Sequence, residues 1–298
     1  MTVEQSIRGA LSQLTNAEKK AARAMLAEYP VVGLSPVAEF AKAAGTSAPT
    51  VLRFVARIGY ASYPAFQRAL RQEIQESLSS PLDRGRPAPD DADTAPSSVT
   101  DVFDRIRDNL ARTARDLPGA EIDEVCKLLG DLKVRCYFLG GRFTDSIAAY
   151  MAAHLRIVRS GVRRFEGQAS TWQDQILDVQ AGDIAVIFDI RRYQEDLLDV
   201  AQSLGRRKAR IILVTDQWLS PIARHARVVL PCRIDIGRTW DSSAALLALA
   251  ESVINRVTAE TWDTSKTRME NLESVHWTGG GDAPANGPER RTHGRRAN

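Results

Sequence analysis

A stretch of twenty residues in the first half of the chain is unable to form part of a folded core. Residues 79–98 read SSPLDRGRPAPDDADTAPSS and contain four prolines, four aspartates and four serines. So polar a segment buries too little apolar surface to offset the conformational entropy lost on folding. We therefore expect a linker at 79–98 between an N-terminal domain, residues 1–78, and a C-terminal domain, residues 99–277.

The end of the chain is a second segment of this kind. Residues 278–298 read TGGGDAPANGPERRTHGRRAN, which contains many glycines and arginines and almost no large apolar side chain. We expect this tail to be disordered. Two interpretations of it stay open: a basic arm that touches nucleic acid phosphates, or a solvated extension without a partner.

Composition excludes several classes of protein. The three cysteines are widely spaced and form no C-x-x-C pair, so we expect neither a disulfide framework nor a metal site, and no motif predicts a cofactor. No run of 18 apolar residues predicts a membrane span, and the first residues lack the apolar core of a signal peptide. These features predict a cytoplasmic protein. The net charge of +3 indicates no partner by itself.

The N-terminal domain has the pattern of a helix-turn-helix. Residues 15–18, Thr-Asn-Ala-Glu, have the form of a capping box and predict the start of a helix. A short apolar helix is then expected over 37–43, a tight turn at Gly45, and a further helix over 47–58 that ends at Gly59. Two short helices joined by a glycine-containing turn are typical of DNA-binding domains.

The local charge of this region favours nucleic acid as the partner. Residues 42–72 contain no aspartate or glutamate, but they contain one lysine and four arginines, which gives a charge of +5. In the helix over 47–58 we expect Val51, Leu52 and Val55 to face the core, so that hydroxyl and guanidinium groups project toward a major groove. The candidate DNA-contacting residues are Lys42, Ser47, Ala48, Thr50, Arg53 and Arg57. The alternative is a three-helix bundle whose solvated basic face binds protein.

Residues 34–74 resemble the N-terminal domain of RpiR-type bacterial regulators. Their pattern is Ser-x-x-Thr-Val-x-Arg-Phe, then Leu/Ile-Gly, an aromatic segment and a final amphipathic helix. The matching residues are Ser47, Thr50, Val51, Arg53, Phe54, Ile58, Gly59, Tyr63 and Phe66. The resemblance covers about residues 5–77 and implies operator DNA as a partner.

The C-terminal domain alternates between short apolar strands and helices. We expect strands over 134–139, 162–165, 183–188, 209–215 and 227–230, with helices before and between them and a long helix over 241–261. Apolar strands that alternate with helices predict a parallel sheet covered on both faces, a three-layer α/β domain. Ligands of such sheets bind at the carboxyl ends of the strands, close to helix N-termini that favour anions.

Three predicted strand ends carry hydroxyl groups or arginines beside the start of a helix, which suits a phosphate or carboxylate ligand. They lie within residues 139–146, 188–195 and 214–221. The candidate effector-binding residues are Gly140, Arg142, Thr144, Ser146, Asp189, Arg191, Arg192, Tyr193, Thr215 and Ser220.

The order and spacing of these loops resemble a sugar isomerase (SIS) domain, the usual partner of the RpiR-type DNA-binding domain, over about residues 120–260. The resemblance implies a carbohydrate-derived anionic effector, such as a phosphorylated sugar. Helix-turn-helix proteins usually bind two DNA half-sites as dimers, so we expect a homodimer or homotetramer. The first loop has Arg142 where the family has a second glycine. The second has Asp189-Ile190-Arg191-Arg192-Tyr193 in place of Ser-x-Ser-Gly-x-Ser/Thr. Such a loop suits an anion clamp, and it equally suits a salt-bridged structural loop without a ligand.

Three hypotheses of function follow. The first is a transcriptional regulator that senses an anionic metabolite, the second a sugar-phosphate isomerase with an accessory helical domain, and the third a DNA-binding scaffold without a ligand. Isomerase chemistry needs an acid and a base beside the sugar. His154 falls within a helix and His225 in a helical turn, where neither is a strong candidate. We therefore expect no catalytic residues and no enzyme activity.

Overall fold

The computed structural model describes residues 2–78 and 98–275 and, between these ranges, Leu82 and Arg84. Most of the expected linker, and the whole of the tail at 278–298, lie outside the described residues. The predicted division into a helical region followed by an α/β domain is confirmed.

All regular secondary structure in the described residues of the N-terminal domain is helical. Its helices are α1 (Val3–Ala10), α2 (Asn16–Ala27), α3 (Val31–Leu34), α4 (Val37–Ala43), α5 (Ala48–Arg57) and α6 (Tyr63–Leu78), with a 3₁₀ turn at Leu11–Gln13. The predicted capping box opens α2, since the Thr15 hydroxyl accepts from the Glu18 backbone N–H and the Glu18 carboxylate accepts from the Thr15 N–H. Phe40, Phe54 and Phe66 are fully buried in its core.

The turn between α4 and α5 has a geometry that only a few residue types tolerate. Gly45 has a φ of +58°, in the left-handed region that favours glycine. The Thr46 N–H donates to the Ala41 carbonyl at 2.9 Å and the Gly45 N–H donates to the Lys42 carbonyl at 3.1 Å. These two bonds are a Schellman motif, which ends α4 sharply. The turn therefore sets the angle between α4 and α5.

The buried face of α5 differs from the expected one at one position. Val51 and Val55 are buried as predicted, but Leu52 is 45% exposed and Phe54 is fully buried. Successive residues of an α-helix are rotated by about 100°, so positions 51, 54, 55 and 58 share one face and position 52 lies outside it. The prediction that Leu52 faces the core was wrong.

The C-terminal domain contains a five-stranded sheet and seven α-helices among its described residues. The strands are β1 (Cys136–Gly140), β2 (Val162–Arg164), β3 (Ile184–Asp189), β4 (Arg210–Asp216) and β5 (Val228–Cys232). The helices are α7 (Val99–Asp116), α8 (Gly119–Gly130), α9 (Asp145–Val158), α10 (Ala169–Leu177), α11 (Glu195–Arg206), α12 (Ala244–Glu260) and α13 (Trp262–Glu273). A 3₁₀ turn spans Pro221–Arg224.

All strand pairs are parallel, in the order β2-β1-β3-β4-β5. Both faces are buried, as β3 illustrates: Val186 packs into the core under α8, α9 and α12, and Ile187 packs into the core under α10 and α11. The expected three-layer α/β architecture is confirmed. Because the strands are parallel, the loops that follow β1, β3 and β4 meet at one edge of the sheet.

All three cysteines of the sequence, Cys126, Cys136 and Cys232, are buried and unpaired. Burial raises the pKa of Cys126 and of Cys136 to about 11. Among residues 2–78 and 98–275, no helix is long and apolar enough to cross a bilayer, and no cluster of three potential ligands could hold a metal ion.

Candidate functional site

The second helix of the helix-turn-helix, α5, presents a basic and polar surface. Lys42, Ser47, Arg53 and Arg57 are exposed, and Ala48 is half-buried. Ser47 precedes the first residue of α5 and Arg53 lies one and a half turns further along. The N-terminal half of α5 therefore carries the donors that can reach phosphates and base edges in a major groove.

Thr50 does not project from the surface as expected, because it is only 5% exposed. Its hydroxyl lies 2.9 Å from the Ser47 hydroxyl and accepts a hydrogen bond from Arg53 Nη2 at 3.1 Å. Thr50 therefore holds Arg53 and Ser47 at the surface instead of offering its own hydroxyl to DNA. Positions 47, 50 and 53 are three residues apart, so their side chains stack along the helix.

Arg57 is held by another helix. Its Nε lies 3.4 Å from Glu18 Oε2, and its Nη1 donates to the Gln13 carbonyl at 3.3 Å. Burial alone would raise the pKa of Glu18, but hydrogen bonds from Thr15 and the positive charge of Arg57 hold that pKa below its ordinary value. Glu18 is therefore an ionised partner that ties Arg57 to α2.

Leu52 is a surface residue that sequence reasoning missed. It lies between Val51 and Arg53 with 45% of its surface exposed. An apolar side chain at this place can contact a thymine methyl group. Helical spacing predicts that Leu52 is exposed, because it lies outside the face that the buried positions of α5 share.

In the strand-end region, the loop after β1 is closed on itself. A Cβ atom on Gly140 would lie 2.6 Å from the Asp145 nitrogen, so only glycine fits this turn without displacing backbone. The Thr144 hydroxyl accepts from the Gly141 N–H at 2.9 Å and donates to the Phe188 carbonyl at 2.6 Å. The predicted candidate Thr144 therefore joins the ends of β1 and β3.

Asp189 and Ser220 are brought together at the ends of β3 and β4. The Ser220 hydroxyl donates to Asp189 Oδ2 at 2.5 Å, and the Ser220 N–H donates to Thr215 Oγ1 at 3.1 Å. Burial raises the pKa of Asp189 to about 7, although hydrogen bonds from Ser220 and the Gln194 N–H stabilise its charged form. A carboxyl group is thus buried among the hydroxyl groups at these strand ends.

A second buried carboxyl group, Asp216, adjoins the first and was not among the predicted site residues. It accepts from the Tyr193 hydroxyl at 2.8 Å and from the backbone N–H groups of Trp218 and Arg191 at 2.9 and 2.5 Å. Burial raises the pKa of Asp216 to about 6, although these three hydrogen bonds stabilise the charged form and lower the pKa. The candidate Tyr193 therefore points into the protein and orders the loop after β3.

Arg191 is a structural residue in this arrangement. Its side chain is only 2% exposed, and its guanidinium lies 3.9 Å over the Trp218 ring. Nη2 lies 3.0 Å from Asp241 Oδ1 and 3.4 Å from Asp235 Oδ2. Of the two interpretations of this loop, a ligand clamp or a salt-bridged element, the geometry at Arg191 supports the second.

Three predicted residues keep accessible polar groups, namely Arg142, Ser146 and Arg192. The Arg142 N–H donates to Gln194 Oε1 at 2.6 Å, while its guanidinium lies 5.4 Å from the Phe143 ring. Arg192 is exposed and has a φ of +67°, in the left-handed region. These groups remain at the mouth of the strand-end region and can face a bound anion.

The two histidines discussed above lie on the surface, away from the buried strand-end network. His154 is exposed on α9 and packs its ring against Tyr150, with a centroid distance of 4.4 Å. His225 is exposed at the end of the 3₁₀ turn. Neither lies within the network of Asp189, Asp216 and Ser220.

The chain combines a helical region that contains a helix-turn-helix with a parallel α/β domain whose strand-end loops carry hydroxyl groups and arginines. This combination defines a two-domain helix-turn-helix protein. Residues 1–77 match the helix-turn-helix domain of the rpiR family, and residues 129–256 match the SIS domain. The chain belongs to the RpiR family of helix-turn-helix regulators with a SIS domain.

Two solved structures share the fold. One is the sugar isomerase domain of the RpiR transcription factor from Sphaerobacter thermophilus, with 18% identity and a TM-score of 0.54 over 59% of this chain and 98% of that chain. The other is the Vibrio vulnificus NanR protein complexed with ManNAc-6P, with 15% identity and a TM-score of 0.50 over 91% of this chain and 97% of that chain. No curated protein matches the sequence significantly.

Proposed function

We propose that the protein is a cytoplasmic, homo-oligomeric transcriptional regulator that binds operator DNA through α5 and binds an anionic metabolite through its SIS domain. The observation that carries the first part is the exposed row of Ser47, Arg53 and Lys42 beside the rigid turn at Gly45. A fixed helix with donors along its N-terminal half is what insertion into a major groove requires.

The test of DNA binding is retention of genomic fragments by the full-length protein at low ionic strength, followed by sequencing and by titration of a retained fragment at increasing salt. We expect affinity to fall steeply with salt, because each lysine or arginine that neutralises a phosphate releases a counterion. A variant with Lys42→Ala and Arg53→Ala should lose retention, and Arg206→Ala on α11 is the control. Absence of retention, or binding that does not change with salt, would exclude this function.

The effector part of the proposal is supported by the cationic groups of Arg142 and Arg192 at the strand-end region and by the shared fold with NanR, whose structure contains ManNAc-6P. Asp189 and the ion-paired Arg191 differ from the hydroxyl-rich cradle of the family, so a phosphorylated sugar is one candidate among organic anions. No catalytic role is assigned to any residue, and we propose that the domain is not an enzyme.

The effector proposal is tested by thermal shift with a panel of sugar phosphates and carboxylates, ManNAc-6P included. We expect a shift that Arg142→Ala together with Arg192→Ala removes, since these residues lie outside the buried network. Absence of a shift across the panel would favour a ligand-free scaffold, and turnover of a sugar phosphate above the buffer control would favour an isomerase. Mass photometry would separate the dimer from the tetramer.

A further inference from the structure

A cavity that shares only the loop after β4 with the strand-end region lies between the two domains. It has a volume of about 430 Å³ and is bounded by α1 on one side and by the carboxyl ends of β4 and β5 on the other. We call it the interdomain cavity. Its polar lining includes Arg8 of α1, Arg112 and Arg115 of α7, Gln217 after β4 and Arg233 after β5. None of the predicted effector residues lines it.

Cations outnumber acids in this lining. Arg8, Arg112, Arg115 and Arg233 give +4, and the acids Glu4, Asp116 and Glu121 give −3 when all are ionised. Burial raises the pKa of Glu4 and of Glu121 above the ordinary value of a glutamate, while the nearby Arg8 opposes that rise.

Most of these charges are already paired, and among the cations Arg112 is the exception in the described residues. Asp116 accepts from Arg233 Nη2 at 2.8 Å and from Arg115 Nε at 3.4 Å. Arg8 Nε lies 2.7 Å from Glu4 Oε1. Arg112 forms no ion pair or hydrogen bond with any residue in the described ranges 2–78 and 98–275. Its guanidinium is therefore available to an anion in the cavity.

Gln217 supplies a second available donor. Its residue is only 7% exposed, and its Oε1 accepts from the Ile234 N–H at 3.2 Å. That bond orients the carboxamide, and Nε2 donates to no acceptor among the described residues. An oxygen atom of a ligand in the cavity would satisfy it.

The remaining walls are apolar. Leu219, Val229, Pro231 and Pro118 contribute carbon surface around the donors. Small-molecule sites commonly combine an apolar lining with a few oriented polar groups, in cavities of roughly 300–1,000 Å³. The lining therefore fits a ligand with a hydrophobic skeleton better than a fully hydroxylated sugar.

We propose that the interdomain cavity binds a small organic oxyanion, a carboxylate or a phosphate monoester with an apolar skeleton, through Arg112 and Gln217. Both donors belong to the α/β domain, and α1 of the DNA-binding domain lines the opposite side of the cavity, so the bound anion lies between the two domains. The proposal does not depend on the effector proposal for the strand-end loops.

The test is isothermal titration of the full-length protein with phenyl phosphate, benzoate and inorganic phosphate. We expect phenyl phosphate or benzoate to bind more tightly than inorganic phosphate, which lacks the apolar skeleton. Arg112→Glu reverses an unpaired charge and should weaken binding at least tenfold. Gln217→Glu keeps the oxygen that accepts from Ile234 and replaces the donor, so it should weaken binding as well. Arg107→Glu, on the same helix, is the control and should bind as the unaltered protein does.

Binding by neither organic probe would overturn the proposal. So would unchanged affinity in both Arg112→Glu and Gln217→Glu when circular dichroism shows that they are folded. Loss of binding in the variant with Arg142→Ala and Arg192→Ala, with Arg112→Glu unaffected, would assign the anion to the strand-end loops instead. The difference between benzoate and phenyl phosphate identifies which oxyanion the cavity prefers.

Discussion

Arg191 Nη1 donates a hydrogen bond of 2.9 Å to the backbone carbonyl oxygen of Glu76. The loop after β3 is thereby joined to the last turn of α6, the final helix of the DNA-binding domain. Asp241, which pairs with Arg191, also accepts from Arg84 at 2.9 and 3.2 Å. The partly buried Asp241 carboxylate thus contacts both the loop and a residue of the segment that connects the domains.

Replacement of Arg191 by alanine should destabilise the protein. The change removes the buried cation from Asp235, leaves Asp241 with Arg84 as its partner, and removes the guanidinium from Trp218 and Glu76. Removal of one partner from a buried ion pair costs about 3–5 kcal/mol. The measurement is the free energy of unfolding from urea denaturation.

The adjacent exposed residue provides the matched control for this experiment. Arg192→Ala should change the free energy of unfolding by less than about 0.5 kcal/mol, as is usual for surface substitutions. Equal effects of the two substitutions would contradict the structural role given to Arg191.

The buried carboxyl group of Asp189 should make stability depend on pH. Its pKa is raised by burial from 3.8 to about 7, so the folded state binds this proton more tightly than the unfolded state. The resulting stabilisation is fully present below pH 3.8 and is lost as pH rises toward 7. The loss amounts to at most about 4 kcal/mol for this group, at 1.36 kcal/mol for each pKa unit.

Asp189→Asn isolates this effect, because the amide oxygen can still accept from Ser220 and has no proton to lose. We expect the unaltered protein to lose stability relative to the variant between pH 4 and pH 8 in chemical denaturation. A pH-independent difference would show that Asp189 titrates near its ordinary pKa when folded.

Arg53 and Arg57 should contribute unequally to DNA binding. Arg53 is held at the surface through Thr50, whereas Arg57 is engaged by Glu18 and the Gln13 carbonyl. If Arg53 reads a base, Arg53→Ala should weaken binding by at least about 1 kcal/mol, and Arg57→Ala should weaken it less. Fluorescence anisotropy with a retained genomic fragment measures both, and a larger effect at Arg57 would reverse this assignment.

Two glycines should respond oppositely to alanine. Gly140→Ala places a Cβ atom 2.6 Å from the backbone of Thr144 and Asp145, so the loop after β1 must move and stability should fall by more than about 1 kcal/mol. Gly205 lies in α11 with no atom within 4 Å of an added Cβ. Gly205→Ala should therefore stabilise the protein by up to about 1 kcal/mol. Thermal unfolding of both variants tests this pair.

Local patterns in the sequence predicted most elements of the fold, because helix caps, glycine turns and β-branched strands act over short distances. The capping box at Thr15 and the helix Val37–Ala43 are examples. The error at Leu52 came from grouping adjacent residues instead of following helical spacing. The helix α3, with four residues, is too short to show an apolar period.

The chemistry of the strand ends was less predictable, because it depends on residues distant in sequence. Arg191 looked like an anion ligand, and its partner Asp241 lies fifty residues further along the chain. No short motif indicates that pairing. The role of Gln217 was unpredictable for the same reason, since its carboxamide oxygen accepts from the Ile234 N–H, seventeen residues further along the chain.

The three buried thiols have a practical consequence for measuring domain motion. A thiol reacts as the thiolate, and the raised pKa of Cys126 and Cys136 leaves almost none at neutral pH, while Cys232 is equally enclosed. Cysteines introduced at exposed positions, such as 53 and 206, should therefore take up fluorescent maleimides selectively with the endogenous thiols left in place. Energy transfer between such dyes would report how far the DNA-binding helix travels when a ligand arrives.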